Sequence, residues 1–331
     1  MTQSARRVKP LKPGAFDAYR ASLTAGTVRR TLGFALRVGR SAVSRARNLL
    51  SAGKVRLLRR NVLFPLRNAL LGKRPIALQA GGHSFVLAPE GAVPLEIWSR
   101  RYFEKHELDL IVGALQPGMT FVDVGANVGL FSIPAAKRVQ HGTVFAFEPS
   151  AWTVERLAKN VRLNDLSNLV IVRSAVGDYI GEATLQVNVP GKDGLNTMGK
   201  PVHEDSEIAS TEKVPVTTLD DFLRQHSISH VDVMKVDVEG AELVVFRGAE
   251  KLLAKPNAPL ILYESGILTK GFAYHPVETM WLLEGHGYVI FKIDSRDGRI
   301  AALTGAQAGD TMLIAVKPSH SSYPFLRERA R

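Results

Sequence analysis

The 331-residue chain contains no cysteine. Disulfide bridges and thiolate metal sites are thereby excluded, and a reducing compartment fits without being demanded. Uninterrupted apolar runs of about 18 residues are also missing, so no membrane-spanning helix is expected. An early apolar stretch followed by a small-residue cleavage site is lacking too, which argues against a secretory leader. Acids are scarce at one end only. Across the first 75 positions, 18 Lys and Arg face the single acid Asp17, whereas the rest of the chain holds 25 bases and 30 acids. The net charge of +12 therefore comes from the front of the chain, which reads as a basic appendage to a larger α/β domain.

The most informative stretch is residues 121–129, Phe-Val-Asp-Val-Gly-Ala-Asn-Val-Gly. It reads as a buried strand running into a Gly-spaced turn, and the next apolar run, Val144 to Phe147, ends in Glu148-Pro149. A strand, a Gly turn, a helix and a second strand ending in an acid is the layout of a nucleoside-binding α/β fold. A dinucleotide fingerprint would need a glycine two positions after Gly125, where this chain has Asn127. Asp123 is a second objection, because a carboxylate at the strand tip repels phosphate yet suits a ligand carrying an ammonium and a sulfonium. S-adenosylmethionine is such a ligand. Glu148 suits a ribose, since a carboxylate accepts hydrogen bonds from both sugar hydroxyls, but NAD sites use the same device.

Alternation of strand and helix continues downstream. Trp152 to Leu163 has helical spacing, and Leu169 to Val172 is a β-branched run leading to Ser174-Ala175 at the same edge. Residues 182–216 break the rhythm and read as a hairpin insertion, with strands at Ala183–Val189 and Val214–Val216 and a loop that reaches over the site. Thr218 is placed to cap a helix. Val231 to Gly240 puts Lys235, Asp237 and Glu239 at alternate positions, hence on one face if the chain stays extended. Strands at Leu260–Tyr263, Tyr288–Ile293 and Met312–Val316 complete the count. The expectation is an α/β fold with a seven-stranded, mostly parallel Rossmann-like sheet and helices on both faces. Residues 1–75 form a basic helical extension, 76–318 the domain, and 319–331 a basic tail.

Five ordered motifs make a resemblance specific. Asp123-Val-Gly-Ala-Asn-Val-Gly129, Phe147-Glu-Pro149, Ala175-Val-Gly-Asp178, Thr217-Thr-Leu-Asp220 and Lys235-Val-Asp-Val-Glu-Gly-Ala-Glu242 resemble the successive motifs of FkbM-family methyltransferases. The likeness covers roughly residues 100–265 and leaves the basic front segment unaccounted for. It implies a class I methyltransferase fold, S-adenosylmethionine as methyl donor, and O-methylation of sugars, glycolipids or secondary metabolites. Asp123, Gly125, Asn127, Gly129, Glu148, Pro149, Ser174 and Ala175 are the cofactor-binding candidates.

Methylating a hydroxyl requires the acceptor to be aligned and its proton drained by a base or a metal. Asp237 and Glu239 are the catalytic candidates, with His275 in Tyr274-His-Pro276 as a further base or substrate contact. Asp237, Glu239 and Glu264 are also candidate oxygen ligands for Mg²⁺. The plainer reading is that Asp237 holds the cofactor's methionine end and Glu242 merely starts a helix. His203 and His230 read as structural or solvated. Tyr102, Glu104 and His106 lead into the first strand, as a lid against the acceptor or as a polar helix face.

On a helix, Val28 to Leu50 gathers an apolar stripe opposite Arg29, Arg30, Arg37, Arg40, Arg45 and Arg47. A second basic and apolar stretch, Lys54 to Leu71, contains Pro65, which should kink or split it. Residues 28–71 are therefore expected to meet an anionic membrane surface, which places the protein in the cytoplasm and peripherally on the inner face of the membrane. Packing on the domain, a targeting segment, or RNA binding are the alternatives, and nucleic acid is the least favoured. A non-catalytic membrane adaptor and an RNA methyltransferase remain the competing functional readings.

Overall fold

The computed structural model describes residues 6–7, 52–72, 74–303 and 311–330. The amphipathic stretch at 28–50 lies outside the described residues. After a two-residue strand β1 (Arg6–Arg7), the described chain resumes as α1 (Ala52–Leu58), a π-helical turn (Arg59–Leu63) and α2 (Phe64–Leu71). This helical rod, expected to kink or split at Pro65, is interrupted by the widened π turn just before that residue. Pro65 occupies the first turn of α2, where its missing N–H costs least. Phe64 is buried and meets Trp98 edge-on at 5.8 Å, which fastens the rod to the domain. A hairpin of β2 (Ile76–Ala80) and β3 (His83–Leu87) follows, then α3 (Ala92–Arg100) and α4 (Lys105–Ala114).

The βα alternation then builds the sheet: β4 (Thr120–Val124), α5 (Ser132–Val139), β5 (Thr143–Phe147), α6 (Ala151–Leu163), β6 (Leu169–Val172) and the short β7 (Ala175–Val176). Next come the hairpin strands β8 (Gly181–Asn188) and β9 (Ile208–Thr217), then α7 (Leu219–Gln225), β10 (Val233–Val236), α8 (Glu242–Arg247), α9 (Glu250–Ala254) and β11 (Leu260–Ser265). The chain closes with α10 (Pro276–Gly285), β12 (Val289–Ile293), β13 (Ile300–Ala302), β14 (Thr311–Val316) and α11 (Tyr323–Arg329).

Strand order in the main sheet is β1-β6-β5-β4-β10-β11-β14-β12-β13, so nine strands stand where the sequence suggests seven. The two extra strands are edge pieces of two and three residues, β1 antiparallel to β6 and β13 antiparallel to β12, too short to leave a periodic signal. β4, β5, β6, β10 and β11 run parallel, and β14 is antiparallel to its neighbours β11 and β12. The order therefore reverses at β4, which puts the carboxyl ends of β4, β5 and β10 around one crevice.

Why the central strands read as continuous apolar runs is plain from the two layers that cover them. One side of the sheet packs against Ile111, Ile133, Leu157 and Val161 of α4, α5 and α6. The other packs against Phe222, Val245, Phe246, Met280 and Leu283 of α7, α8 and α10. One further expectation is corrected. β9 begins at Ile208 rather than Val214, because its first half is exposed and carries no buried alternation. The stretch expected as a basic tail, 319–331, contains α11, which buries Leu326 in the first layer and sets Tyr323 edge-on to Phe291 at 6.4 Å. No helix among the described residues is long and apolar enough to cross a membrane.

Candidate active site

A cavity of about 230 Å³ opens at the carboxyl ends of β4, β5 and β10. Asp123, Gly125 and Asn127 contribute from the tip of β4, Glu148 and Pro149 from β5, Ser174 and Ala175 from the turn after β6, Lys235, Asp237 and Glu239 from β10, and Glu264 from β11. The sequence brings them together because each lies at or just beyond the carboxyl end of a buried strand, where the backbone emerges from the layers that cover it.

Glu148 is buried and holds the first two turns in register, its carboxylate accepting from Asn127 N at 3.1 Å and Ser150 N at 3.0 Å. Burial outweighs those two bonds and pushes its carboxyl up to about 7. Asp123 is fully enclosed, with one oxygen accepting from the Ser132 hydroxyl and the other, Oδ1, without a hydrogen-bond partner among the described residues. Asn127, in the left-handed region at φ +47°, likewise has a buried Oδ1 with no partner. Two acceptors thus face the cavity with their hydrogen bonds unmade, an arrangement that costs energy unless a ligand supplies the donors.

Lys235 is the sole basic residue in the cavity wall among the described residues. Its side chain is 3% exposed, its ammonium lies 2.8 Å from Asp237 and 4.0 Å from Asp123, and the Phe131 ring lies 5.0 Å away. Burial acts to lower its pKa, but the carboxylates of Asp237, Asp123 and Glu104 win and hold the proton more tightly than usual. Glu239 does not continue the extended strand. β10 ends at Val236, and a left-handed backbone at φ +56° swings Glu239 into the cavity. Glu242 starts α8 and closes that turn by accepting from Val238 N at 3.0 Å and Gly240 N at 3.3 Å.

The hairpin insertion does reach over the site: Asp193, Asn196, Thr197 and Met198 line the cavity. Its loop is pinned by the Arg156–Asp193 ion pair at 2.7 Å and by Thr197 Oγ1, which donates to the Glu239 carbonyl at 3.3 Å. From the other side come Val93, Phe103 and Glu104, of which the sequence reading weighed only Glu104. Glu104 lies just before α4 at φ +42°, a left-handed position no pattern of hydrophobicity announces. Val93 and Phe103 carry no sequence signal of their own.

Some candidates are elsewhere. His275 is absent from the cavity wall; it caps α10, its ring accepting from Val277 N while Glu278 accepts from His275 N, a reciprocal capping box. Gly129 is also absent from the wall and serves packing, since a Cβ there would lie 2.7 Å from Leu157 Cδ1. Tyr102 and His106 do not reach the cavity. Asp237, Glu239 and Glu264 do converge, yet no group of three or more His, Asp or Glu among the described residues is arranged to hold a metal ion.

The carboxylates instead hold protons. Burial, reinforced by Asp237, pushes Glu104 up to about 8 and Glu239 up to about 9, and the same causes hold Glu264 well above the usual range. Lys235 opposes the rise at Glu104 and Glu239, while Glu107 and Glu96 add to it at Glu104 and Glu242 adds to it at Glu239. Because the folded-state pKa values are raised, these groups contribute stability below about 4.5 that is lost as pH climbs through 8 to 9. Thermal denaturation of the ligand-free chain should therefore show a melting temperature falling from pH 5 to pH 9, and the slope should flatten in Glu104→Gln and Glu239→Gln.

The comparisons with known proteins agree with this geometry. A family model described as the methyltransferase FkbM domain matches residues 123–290, which begin at Asp123 and span the five parallel strands. Methyltransferase sdnD of Sordaria araneosa is 30% identical over 156 residues, covering 39% of this chain and 60% of that protein. The 31-O-demethyl-FK506 methyltransferase FkbM of Streptomyces tacrolimicus is 26% identical over 219 residues, covering 59% of this chain and 80% of that one. Hexuronic acid methyltransferase AglP of Haloferax volcanii is 23% identical over 178 residues, covering 52% and 68%. The chain thus spans about three fifths of the first of these relatives. With the family model covering just over half of its length, the chain belongs to the methyltransferase FkbM domain family.

Proposed function

We propose that this protein transfers a methyl group from S-adenosylmethionine to a hydroxyl of a glycan, glycolipid or secondary-metabolite acceptor. The observation that carries the proposal is the pair of unsatisfied buried acceptors, Asp123 Oδ1 and Asn127 Oδ1, beside Glu148 in one crevice. Acceptor-only groups suit a ligand rich in donors, and a carboxylate at the β4 tip suits an ammonium rather than a phosphate. The name of one relative, a 31-O-demethyl-FK506 methyltransferase, supports oxygen as the atom methylated, and that of another, a hexuronic acid methyltransferase, supports a sugar acid as one kind of acceptor.

When bound, S-adenosylmethionine supplies a methyl group already activated on a sulfonium. The chain's own work is then to seat the acceptor and remove its proton. Asp123 would hold the cofactor's amino group and Glu148 its ribose hydroxyls, while Ser174 and Ala175 line the space for its base. Asp237, whose carboxylate lies 2.8 Å from the Lys235 ammonium, stands at the acceptor end and is the base we assign. Glu239, whose carboxyl is pushed up to about 9, orients the acceptor rather than taking the hydroxyl's proton. No metal is assigned a role.

Glu148→Ala should weaken S-adenosylhomocysteine binding by about 10- to 100-fold by calorimetry, the loss expected for hydrogen bonds to a charged group. Glu148→Gln should lose less. A wild-type chain that ignores both adenosyl ligands while binding NAD would reject the proposal.

We place the reaction at an anionic membrane surface, on the strength of the α1–α2 rod. Leu57, Val62, Leu66 and Leu70 are each about half exposed there beside exposed Lys54, Arg56 and Arg60, and no acid occurs between residues 52 and 75. An apolar row flanked by bases complements anionic lipid. The chain should co-sediment with phosphatidylserine vesicles and not with pure phosphatidylcholine, and Leu66→Asp with Leu70→Asp should abolish it. Equal binding to both vesicles would count against the placement.

A further inference from the structure

The carboxylates of the cavity fall into two groups. Asp123, Asp237 and Glu148 are engaged by the Ser132 hydroxyl, the Lys235 ammonium and backbone N–H groups respectively. The side-chain carboxyls of Glu104, Glu239 and Glu264 accept no hydrogen bond and form no ion pair with any described residue. They come from three separate parts of the fold, the turn before α4, the loop after β10 and the end of β11, and converge on the same space. Lys235 is paired with Asp237 at 2.8 Å and forms no ion pair with any of the three, although its charge opposes the rise at Glu104 and Glu239.

Two of the three also sit where a side chain is costly. Glu104 at φ +42° and Glu239 at φ +56° occupy the left-handed region, which disfavours residues other than glycine by about 1–2 kcal/mol. Strain of this kind persists where the site uses the side chain. Phe103, the neighbour of Glu104, adds an aromatic ring to the same wall. Unpaired carboxylates beside an aromatic ring are the chemistry that recognises an organic cation.

We propose that the acceptor carries a protonated amine near the hydroxyl it presents, and that Glu104, Glu239 and Glu264 with Phe103 form the surface that recognises it. This rests on the methyl-transfer reading of the same cavity and narrows its substrate class. A divalent metal is a poorer occupant, since the described carboxylates lack a metal-holding arrangement. An anionic acceptor would be opposed as these acids ionise on the rise through pH 8 to 9, which separates this site from the hexuronic acid named in one relative. With the three carboxyls protonated in the empty site, the amine displaces protons as it binds, and its affinity rises with pH.

The test uses the full chain saturated with S-adenosylhomocysteine and three probes of one shape: cyclohexylammonium, cyclohexanol and cyclohexanecarboxylate. The ammonium should bind about tenfold more tightly than the alcohol at pH 8, or about 1.4 kcal/mol, and the carboxylate should not bind. The preference should widen from pH 6.5 to pH 9 and fall to within about threefold in Glu104→Gln and Glu264→Gln. Equal binding of the alcohol or the carboxylate overturns the inference, as does a preference untouched by both substitutions. Retained S-adenosylhomocysteine binding in those experiments leaves the methyl-transfer reading standing; its absence from the wild-type chain removes both.

Discussion

Lys235→Met should destabilise the protein by about 3–5 kcal/mol near neutral pH, the cost of leaving buried acids without their cation. The lysine side chain is 3% exposed and sits where the tips of β4 and β10 meet, so its removal leaves Asp123 and Asp237 close together without a cation between them. Asp123 suffers most. It is fully enclosed, burial already raises its pKa, and Lys235 is the largest opposing influence. Without the lysine its proton is held more tightly still, and a raised folded-state pKa stabilises at low pH and loses that stability as pH rises. Urea denaturation should therefore find a larger deficit at pH 8 than at pH 5. Lys235→Met combined with Asp123→Asn should recover part of the loss, because the charge left behind is removed with its partner. A deficit independent of pH, or a double variant worse than the sum of the singles, would mean that Lys235 acts through packing alone.

What the sequence reveals follows from which forces leave a period. Strands buried on both faces must be apolar throughout, so β4, β5, β6, β10 and β11 stand out, and the acids that end them mark the crevice. Positive backbone angles leave no such mark outside glycine. Glu104 and Glu239 enter the cavity through them, so Glu239 reaches the wall that an extended reading of Lys235, Asp237 and Glu239 expects, but by a different backbone path. His275 misleads for the opposite reason. A histidine before proline is chemically suggestive, yet Pro276 is a first-turn residue and the imidazole beside it serves to cap the helix. α11 is equally silent, since a single buried Leu326 in a basic heptad suffices to dock it. Edge strands of two or three residues offer nothing for periodicity to detect.

Gly125→Ala should abolish measurable S-adenosylhomocysteine binding, a loss of at least about 100-fold, while Gly129→Ala keeps affinity within about threefold. Both glycines have positive φ, +82° and +92°, so both substitutions carry the left-handed penalty of about 1–2 kcal/mol. What differs is the neighbour. At Gly129 the new Cβ meets Leu157 Cδ1 at 2.7 Å and Ile133 Cδ1 at 3.0 Å, the ends of side chains that can turn aside. At Gly125 it would lie 1.9 Å from the Asp237 carbonyl oxygen, which is backbone. Asp237 N donates to Val124 O at 3.1 Å, so relief requires the tips of β4 and β10 to part, and with them Asp123 and Asp237. Gly125→Ala thus strikes the geometry of the crevice and Gly129→Ala the contact between α6 and the turn beside it. If Gly129→Ala loses affinity as completely as Gly125→Ala, the ligand reaches further along that turn than Asn127, and the assignment of its amino-acid end to Asp123 has to change.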